Sequence, residues 1–474
     1  MSIANKIFQN TLWQVIIRAL NIFIGVLSLA LITRILGQAG FGYYTTAFAF
    51  VQMFMILVDL GLYLTLLREI SAAKERKDEN RIVNNIFTIR IVSAVLVLIL
   101  IPLVVQFFPY TKEVKIGVTI FMFCYFFQSI ISTLTAVFSK NLAMPKVAIT
   151  DLVNKTLYAL ALIYLFKTSG NLNQILFFNV ITQGTAFILL LVFLKKYVSL
   201  QLAWDFVYWK QVFHRTWPLA ITVVLNLVYF KADTLILSAY HSPEDVAIYG
   251  APYRVLEVLS TFPHMFMSLI LPIFTAAWVT QNKEKLKNSL QHSFDFFSII
   301  SVAMIFVTWL ISSPLMTLLA GQEFVKSGPI LNILIIATAA IFFGTLFTYL
   351  VVALNLQKQM VKYFLITAGI GILGYFTLIP RFSYWGAAYM TLLVEILIVV
   401  FAFVVVKKNV SLNLNFKVLI KSIIAAVIAS FVASLLEDKN IILVTILAGL
   451  IYILVLFFTK AINQSLIKEI FNKK

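Results

Sequence analysis

The stretch from Trp217 to Tyr240 leaves little choice of fold. It is an apolar run with Lys231 and Asp233 near its centre. A helix of about 20 apolar residues crosses the hydrocarbon core of a bilayer. In that medium only helices and closed barrels satisfy their own backbone, and alternating barrel strands would not give a run this long. A charge at that depth costs at least about 2.5 kcal/mol, so it faces a partner or a water-filled cavity. After the polar turn His241-Ser242-Pro243-Glu244-Asp245, a second run carries Pro252, Arg254, Glu257, Pro263 and Pro272.

An earlier copy of this hairpin stands at the N-terminus. Sliding the sequence by 205 positions places Thr11 on Thr216, Leu20-Asn21 on Leu225-Asn226, and Tyr44 on Tyr249. The turn Gly37-Gln38-Ala39-Gly40-Phe41-Gly42-Tyr43-Tyr44 falls on the polar turn before Tyr249-Gly250. The identities are few. Both windows, however, are a long span, a short turn and a second long span, which favours duplication. Parallel repeats about an axis along the membrane normal are a recurrent transporter design.

The remaining runs extend the pattern. Fourteen helical spans are expected, at about 10–35, 41–66, 85–107, 116–138, 147–166, 174–194, 217–240, 246–279, 290–312, 328–352, 360–379, 385–406, 416–436 and 441–459. A chain that is 61% hydrophobic and 12% charged has no soluble counterpart. The net charge of +18 would suggest nucleic acid in a soluble protein. Here the basic residues orient the chain instead. With the N-terminus cytoplasmic, 25 of the 37 Lys and Arg fall on the inner face, 6 on the outer face and 6 within spans. That excess puts both termini inside.

The expected architecture is an all-α polytopic membrane protein with two pseudo-symmetric six-helix lobes and two added C-terminal helices. The N-lobe covers 1–194 and the C-lobe 217–406. The last two helices and the tail cover 407–474. Residues 195–216 form the linker, where Leu202, Phe206, Trp209 and Phe213 recur at helical spacing beside Lys210 and Arg215. This reads as an amphipathic helix on the inner leaflet. Three prolines predict a kinked eighth span.

Catalysis finds little support. No loop is large, no P-loop is present, and no Ser/His/Asp or paired-carboxylate arrangement stands out. The lone Cys124 excludes an internal disulfide, and four scattered histidines lack metal-ligand spacing. The chain is expected to be a non-enzyme without metal or cofactor.

The intramembrane charges remain. Arg18 sits about 10 Å from the inner end of its span and either snorkels or offers its fork to phosphate oxygens. Lys231 is too deep to reach an interface easily. Asp233 points to another helix face, and is functional or structural. Arg254 and Glu257 form an internal pair or part to bind substrate. Lys155 has Asp151 one turn before it, another self-paired couple. Arg34 is an outer anchor or a ligand group, and Asp59 pairs with an arginine or gates the inner end. Arg90 is expected to snorkel, and His264 and Glu395 to be satisfied by neighbouring helices. Aromatic residues are abundant, but sequence does not say which of them line a path.

The layout resembles the polysaccharide-transporter, O-antigen-flippase-like branch of the superfamily that also holds multidrug and toxin extrusion proteins and lipid II flippases. The residues that carry the likeness are Asn10-Thr11-Leu12-Trp13, the turn Leu36 to Tyr44, Asp59-Leu60-Gly61-Leu62 with Arg68, Val246-Ala247-Ile248-Tyr249-Gly250-Ala251, and Leu319-Ala320-Gly321-Gln322-Glu323-Phe324 with Pro329-Ile330-Leu331. Ala247 stands where the family usually has glycine. The resemblance implies export of an undecaprenyl-pyrophosphate-linked oligosaccharide across the inner (cytoplasmic) membrane by alternating access, for O-antigen, capsule or another surface polysaccharide. It implies two lobes around a basic cavity, with Arg18, Lys231, Arg254 and Arg34 as cavity charges. Asp233 and Asp59 then become candidates for coupling or gating. Membrane lipids, a polysaccharide polymerase and chain-length machinery are the implied partners, and nucleic acid is not. A lipid II-type flippase and a cation-coupled multidrug antiporter are the rival readings.

Overall fold

The computed structural model describes the backbone of residues 3–59, 61–410, 414–436 and 440–461; within these, the side chains of 3–16, 18–19, 55–59, 215, 217–230 and 442 fall outside the description. All regular structure among the described residues is helical. The helices are α1 (Ile3–Asp59), α2 (Leu62–Ala72), α3 (Arg76–Val104), α4 (Lys112–Lys140), α5 (Met144–Lys167), α6 (Leu172–Leu194), α7 (Phe206–Tyr240), α8 (Pro243–Val279), α9 (Lys283–Ala320), α10 (Ser327–Ala353), α11 (Gln357–Asn409), α12 (Lys417–Ser434) and α13 (Ile441–Phe458). Among the described residues, ten helical segments are long and apolar enough to cross a membrane.

Two helices bend sharply. In α1 the break is at Gly37 (φ 63°, ψ −173°), a region open essentially to glycine alone. In α11 it is at Ser383 (φ 50°, ψ −134°). The expected second span also ends early. Gly61 adopts the left-handed conformation (φ 72°) and starts α2 as a separate helix. The backbone of α8 stays helical through Pro252, Pro263 and Pro272.

The chain forms two compact units. The first comprises residues 1–250 together with 318–323 and 375–384; the second comprises 251–317, 324–374 and 385–474. In the first unit, Leu66 and Ile70 of α2, Ile86 and Ile89 of α3, Leu134 and Val137 of α4, and Leu190 of α6 form one core. The segment before α7 is tied to it. Asn85 Nδ2 is turned to its own helix, while its Oδ1 accepts from the backbone of Asp205 (3.1 Å) and from Trp209 Nε1 (3.1 Å). Asp205 then caps α7 by accepting from the Tyr208 N–H (3.0 Å). Helix α7 therefore begins at Phe206 and runs directly into the apolar stretch.

In the second unit α10 is buried along most of its length, with Phe342, Leu346 and Leu350 packed on Phe274 of α8, Phe297 of α9 and Val405 of α11. Helices α12 and α13 pair through Ala425, Ala429, Ala433 and Ala448. Tyr452 donates to the Ile299 carbonyl of α9 (2.8 Å). The outward faces stay apolar: Phe23, Leu103 and Phe107 in the first unit, Leu373, Phe431 and Phe458 in the second. An exterior of this kind is stable against lipid and not against water. The protein is a multi-pass membrane protein.

Candidate functional site

The deepest cation expected from sequence is Lys231, on α7, which is 6% exposed. Its ammonium lies 5.7 Å from the centre of the Phe48 ring, on the second half of α1. A cation over an aromatic face recovers part of the lost hydration, about 0.5–2 kcal/mol. Phe48 belongs to an aromatic wall. Its ring lies 5.6 Å from Phe121 and 6.0 Å from Tyr125 of α4, and Tyr44 is 6.0 Å from Phe121. Phe41 stacks on Tyr44 at 5.9 Å. These side chains recur at helical spacing along one face of α1 and one face of α4. They are the group that sequence could not single out, because the two faces meet only in the folded chain.

Asp233 is 1% exposed and is held differently. Its carboxylate accepts from the Tyr249 hydroxyl (2.6 Å) and the Thr234 N–H (2.5 Å). Tyr249 is fully buried in the first turns of α8. Those turns lie against α1. A Cβ on Gly42 would overlap the Pro243 carbonyl, and one on Gly250 would sit 2.8 Å from the Thr45 methyl. Close approach of the two backbones is what brings the tyrosine to the aspartate.

A second polar group links α1, α4, α5 and α6. Asn21 Nδ2 donates to Asp151 (2.6 Å), which also lies 3.3 Å from Lys155. Asn154 donates to Gln183 (2.6 Å), and Gln183 donates to Gln128 (2.6 Å). The expected Lys155–Asp151 couple is therefore present and includes Asn21.

At the bends, the first unit is fastened by polar contacts. Arg34 is exposed and donates to the carbonyls of Ala30 (3.2 Å) and Leu318 (2.6 Å). Glu323 accepts from the Gln38 N–H just past the Gly37 break (2.9 Å). Ser383 donates to Asp245 (2.8 Å), and His241 Nε2 lies 2.8 Å from the Ile379 carbonyl. The Gly37 break is thus tied to residues 318–323, and the Ser383 break to the polar turn 241–245.

Arg254, in the second unit, is bonded to Glu257 at 2.7 Å. Arg18 and Asp59 lie outside the residues whose side chains are described. Arg90 does not snorkel: it is 0% exposed and its Nε donates to Thr133 of α4 (2.5 Å). Position 90 faces α4, which helix length alone does not reveal. His264 rests on the Tyr349 ring at 6.1 Å. Among the described residues no cluster of three or more His, Cys, Asp or Glu is placed to hold a metal.

Comparison with known proteins gives a consistent picture. The sequence model of the family described as "Polysaccharide biosynthesis protein" matches residues 7–279, and that of MatE matches 218–377. The capsular polysaccharide biosynthesis protein CapF of Staphylococcus aureus is 20% identical over 351 residues, 70% of this chain and 84% of CapF. Among solved structures, the lipid II flippase MurJ in an inward closed conformation superposes with a TM-score of 0.79 at 13% identity, covering 94% of this chain and 98% of MurJ. An inward-facing multidrug resistance MATE family transporter of the MOP superfamily superposes at 0.68 with 10% identity, covering 84% and 98%. The fold is that of the MurJ and MATE transporters, and the first match spans more than half of the chain; the protein belongs to the polysaccharide biosynthesis protein family.

Proposed function

We propose that the protein is a flippase that carries an undecaprenyl-pyrophosphate-linked oligosaccharide across the cytoplasmic membrane, for assembly of a surface polysaccharide. The reading includes fourteen membrane helices, cytoplasmic termini, two six-helix lobes with the boundaries given above, and an alternating-access cycle without catalysis. The observation that carries it is the buried Lys231 against the aromatic wall of Phe48, Phe121 and Tyr125. A pyrophosphate entering a low-dielectric path is stabilised by fixed positive charge. Sugar rings bind aromatic faces through apolar contact. Arg18, Arg34 and Arg254 are further cations for the same anion. Asp233, already bonded by Tyr249, and Asp59 are the candidates for coupling or gating.

The test is transport of a fluorescent undecaprenyl-pyrophosphate disaccharide in proteoliposomes, comparing wild type with Lys231→Ala and Arg18→Ala. The reading holds if wild type translocates the lipid and the folded variants do not. Expulsion of a cationic dye with no lipid movement assigns the protein to drug export instead. Normal transport by both variants makes these cations structural.

A further inference from the structure

The aromatic wall ends in a pair of amides. On the second half of α1, Tyr44 and Phe48 stand four residues apart, and Gln52 follows at the same spacing. On α4, Phe121 and Tyr125 are followed by Gln128, seven residues after Phe121. Residues at these intervals lie one above the other on one helix face. The two faces run in the same order. Tyr44 meets Phe121, and Phe48 meets both Phe121 and Tyr125. Just beyond, Val51 borders one small cavity with Tyr125 and Ser129. Each stripe therefore passes into a glutamine about one turn past the Phe48–Tyr125 contact, and in the same direction.

The two amides are complementary. Gln128 is exposed, and its Oε1 accepts from Gln183 Nε2 (2.6 Å). Gln183 is 5% exposed and is itself held by Asn154 of α5 (2.6 Å). This chain fixes Gln128 by its oxygen and leaves its N–H groups without an acceptor among the described residues. Gln52 is the reverse: its Oε1 is buried and has no hydrogen-bond partner among the described residues. An acceptor buried in this way is costly unless something donates to it. A cation requires several oxygens and meets N–H groups at Gln128. An anion gains nothing from the open oxygen of Gln52. A ligand that carries hydroxyl donors and oxygen acceptors beside an apolar face suits both amides and the wall, and a sugar ring is such a ligand. We propose that Gln52 and Gln128 bind the sugar adjoining the pyrophosphate, Gln52 Oε1 accepting from a sugar hydroxyl and Gln128 donating to a sugar oxygen. The proposal rests on the transport reading above. The register selects that sugar. Lys231 lies over Phe48, and Gln52 is four residues on, about 6 Å along the helix, close to the span of one ring.

The experiment measures binding of two fluorescent lipids to the full chain in detergent: undecaprenyl-pyrophosphate disaccharide and undecaprenyl pyrophosphate without sugar. Wild type is compared with Gln52→Met and Gln128→Met, which keep side-chain length and remove the amide. Thermal unfolding confirms that each variant is folded. The readout is the preference for the disaccharide lipid over the sugar-free lipid. Loss of one hydrogen bond is expected to lower that preference about two- to tenfold in each variant. A preference equal to wild type in both variants overturns the proposal. A second measurement needs no variant. A diazirine on the sugar adjoining the pyrophosphate is expected to label wild type within residues 44–52 and 121–128. Label confined to other segments overturns the proposal. If wild type binds both lipids equally, the sugar site fails and the transport reading stands. If it binds neither, the transport reading fails and the site with it.

Discussion

Gly250 of α8 meets Thr45 of α1 so closely that a Cβ on the glycine would lie 2.8 Å from the threonine Cγ2. The two positions are 205 residues apart, the offset at which the first and second hairpins align. Gly250→Ala is expected to lower stability by about 1–3 kcal/mol through overpacking. Thr45→Ala removes the obstructing methyl and a hydroxyl that has no hydrogen-bond partner among the described residues. The double variant is therefore expected to regain most of the loss. Thermal unfolding of the purified protein in detergent decides this. Additive effects would show that the two residues are not coupled.

Tyr249→Phe removes a side-chain hydroxyl that donates to Asp233 and keeps the ring. A buried carboxylate short of a donor costs about 1–3 kcal/mol. The unfolding temperature is expected to fall, and Asp233→Asn in the same background to recover part of it by removing the charge. An unchanged unfolding temperature would mean that the bond contributes nothing.

Phe48→Leu keeps apolar bulk beneath Lys231 but removes the ring. Loss of a cation–π contact worth about 0.5–1 kcal/mol corresponds to a two- to fivefold drop in transport of the lipid probe. Phe48→Tyr retains the ring face and is expected to transport as wild type does. Equal rates in all three proteins would separate the wall from the path.

The Arg81 guanidinium, 2.7 Å from Asp205, holds that carboxyl below the usual carboxylate range, helped by the Tyr208 N–H. A depressed folded-state value means that the contribution is complete above the ordinary aspartate pKa of about 3.9. It fades as pH falls through the lower folded value. Docking of the 195–205 segment is thus expected to be constant from neutral pH down to the ordinary aspartate range and to weaken below it. Pepsin cleavage of this segment, followed against pH, is the measurement. Asp205→Asn is expected to remove the pH dependence, and its persistence in that variant would assign it to another group.

Much of the helical layout is legible in the chain because run length and loop charge are local properties. The break at Gly37 is also legible, since a glycine-rich turn separates two runs. The break at Ser383 is not, because serine carries no signal for a positive φ and the Asp245 contact that accompanies it comes from residues far earlier in sequence. Lys231 and Asp233 stand out as charges in an apolar run, but their surroundings do not. Phe48 and Tyr249 become their neighbours only when α1 and α8 close on each other through Gly42 and Gly250. Arg90 is a case in point: it reads as reaching for water and is buried on Thr133. Helix orientation about its own axis decides this, and nearly uniform hydrophobicity hides that orientation.

Ser383 has a further consequence. A non-glycine residue at φ 50° and ψ −134° is strained, at a cost of about 1–3 kcal/mol. Its hydroxyl is tied to Asp245, which in turn lies 3.6 Å from His241. The strain and the hydrogen bond that accompanies it fall on the same residue, so the bend in α11 is a fixed corner, held at one position against its own backbone preference.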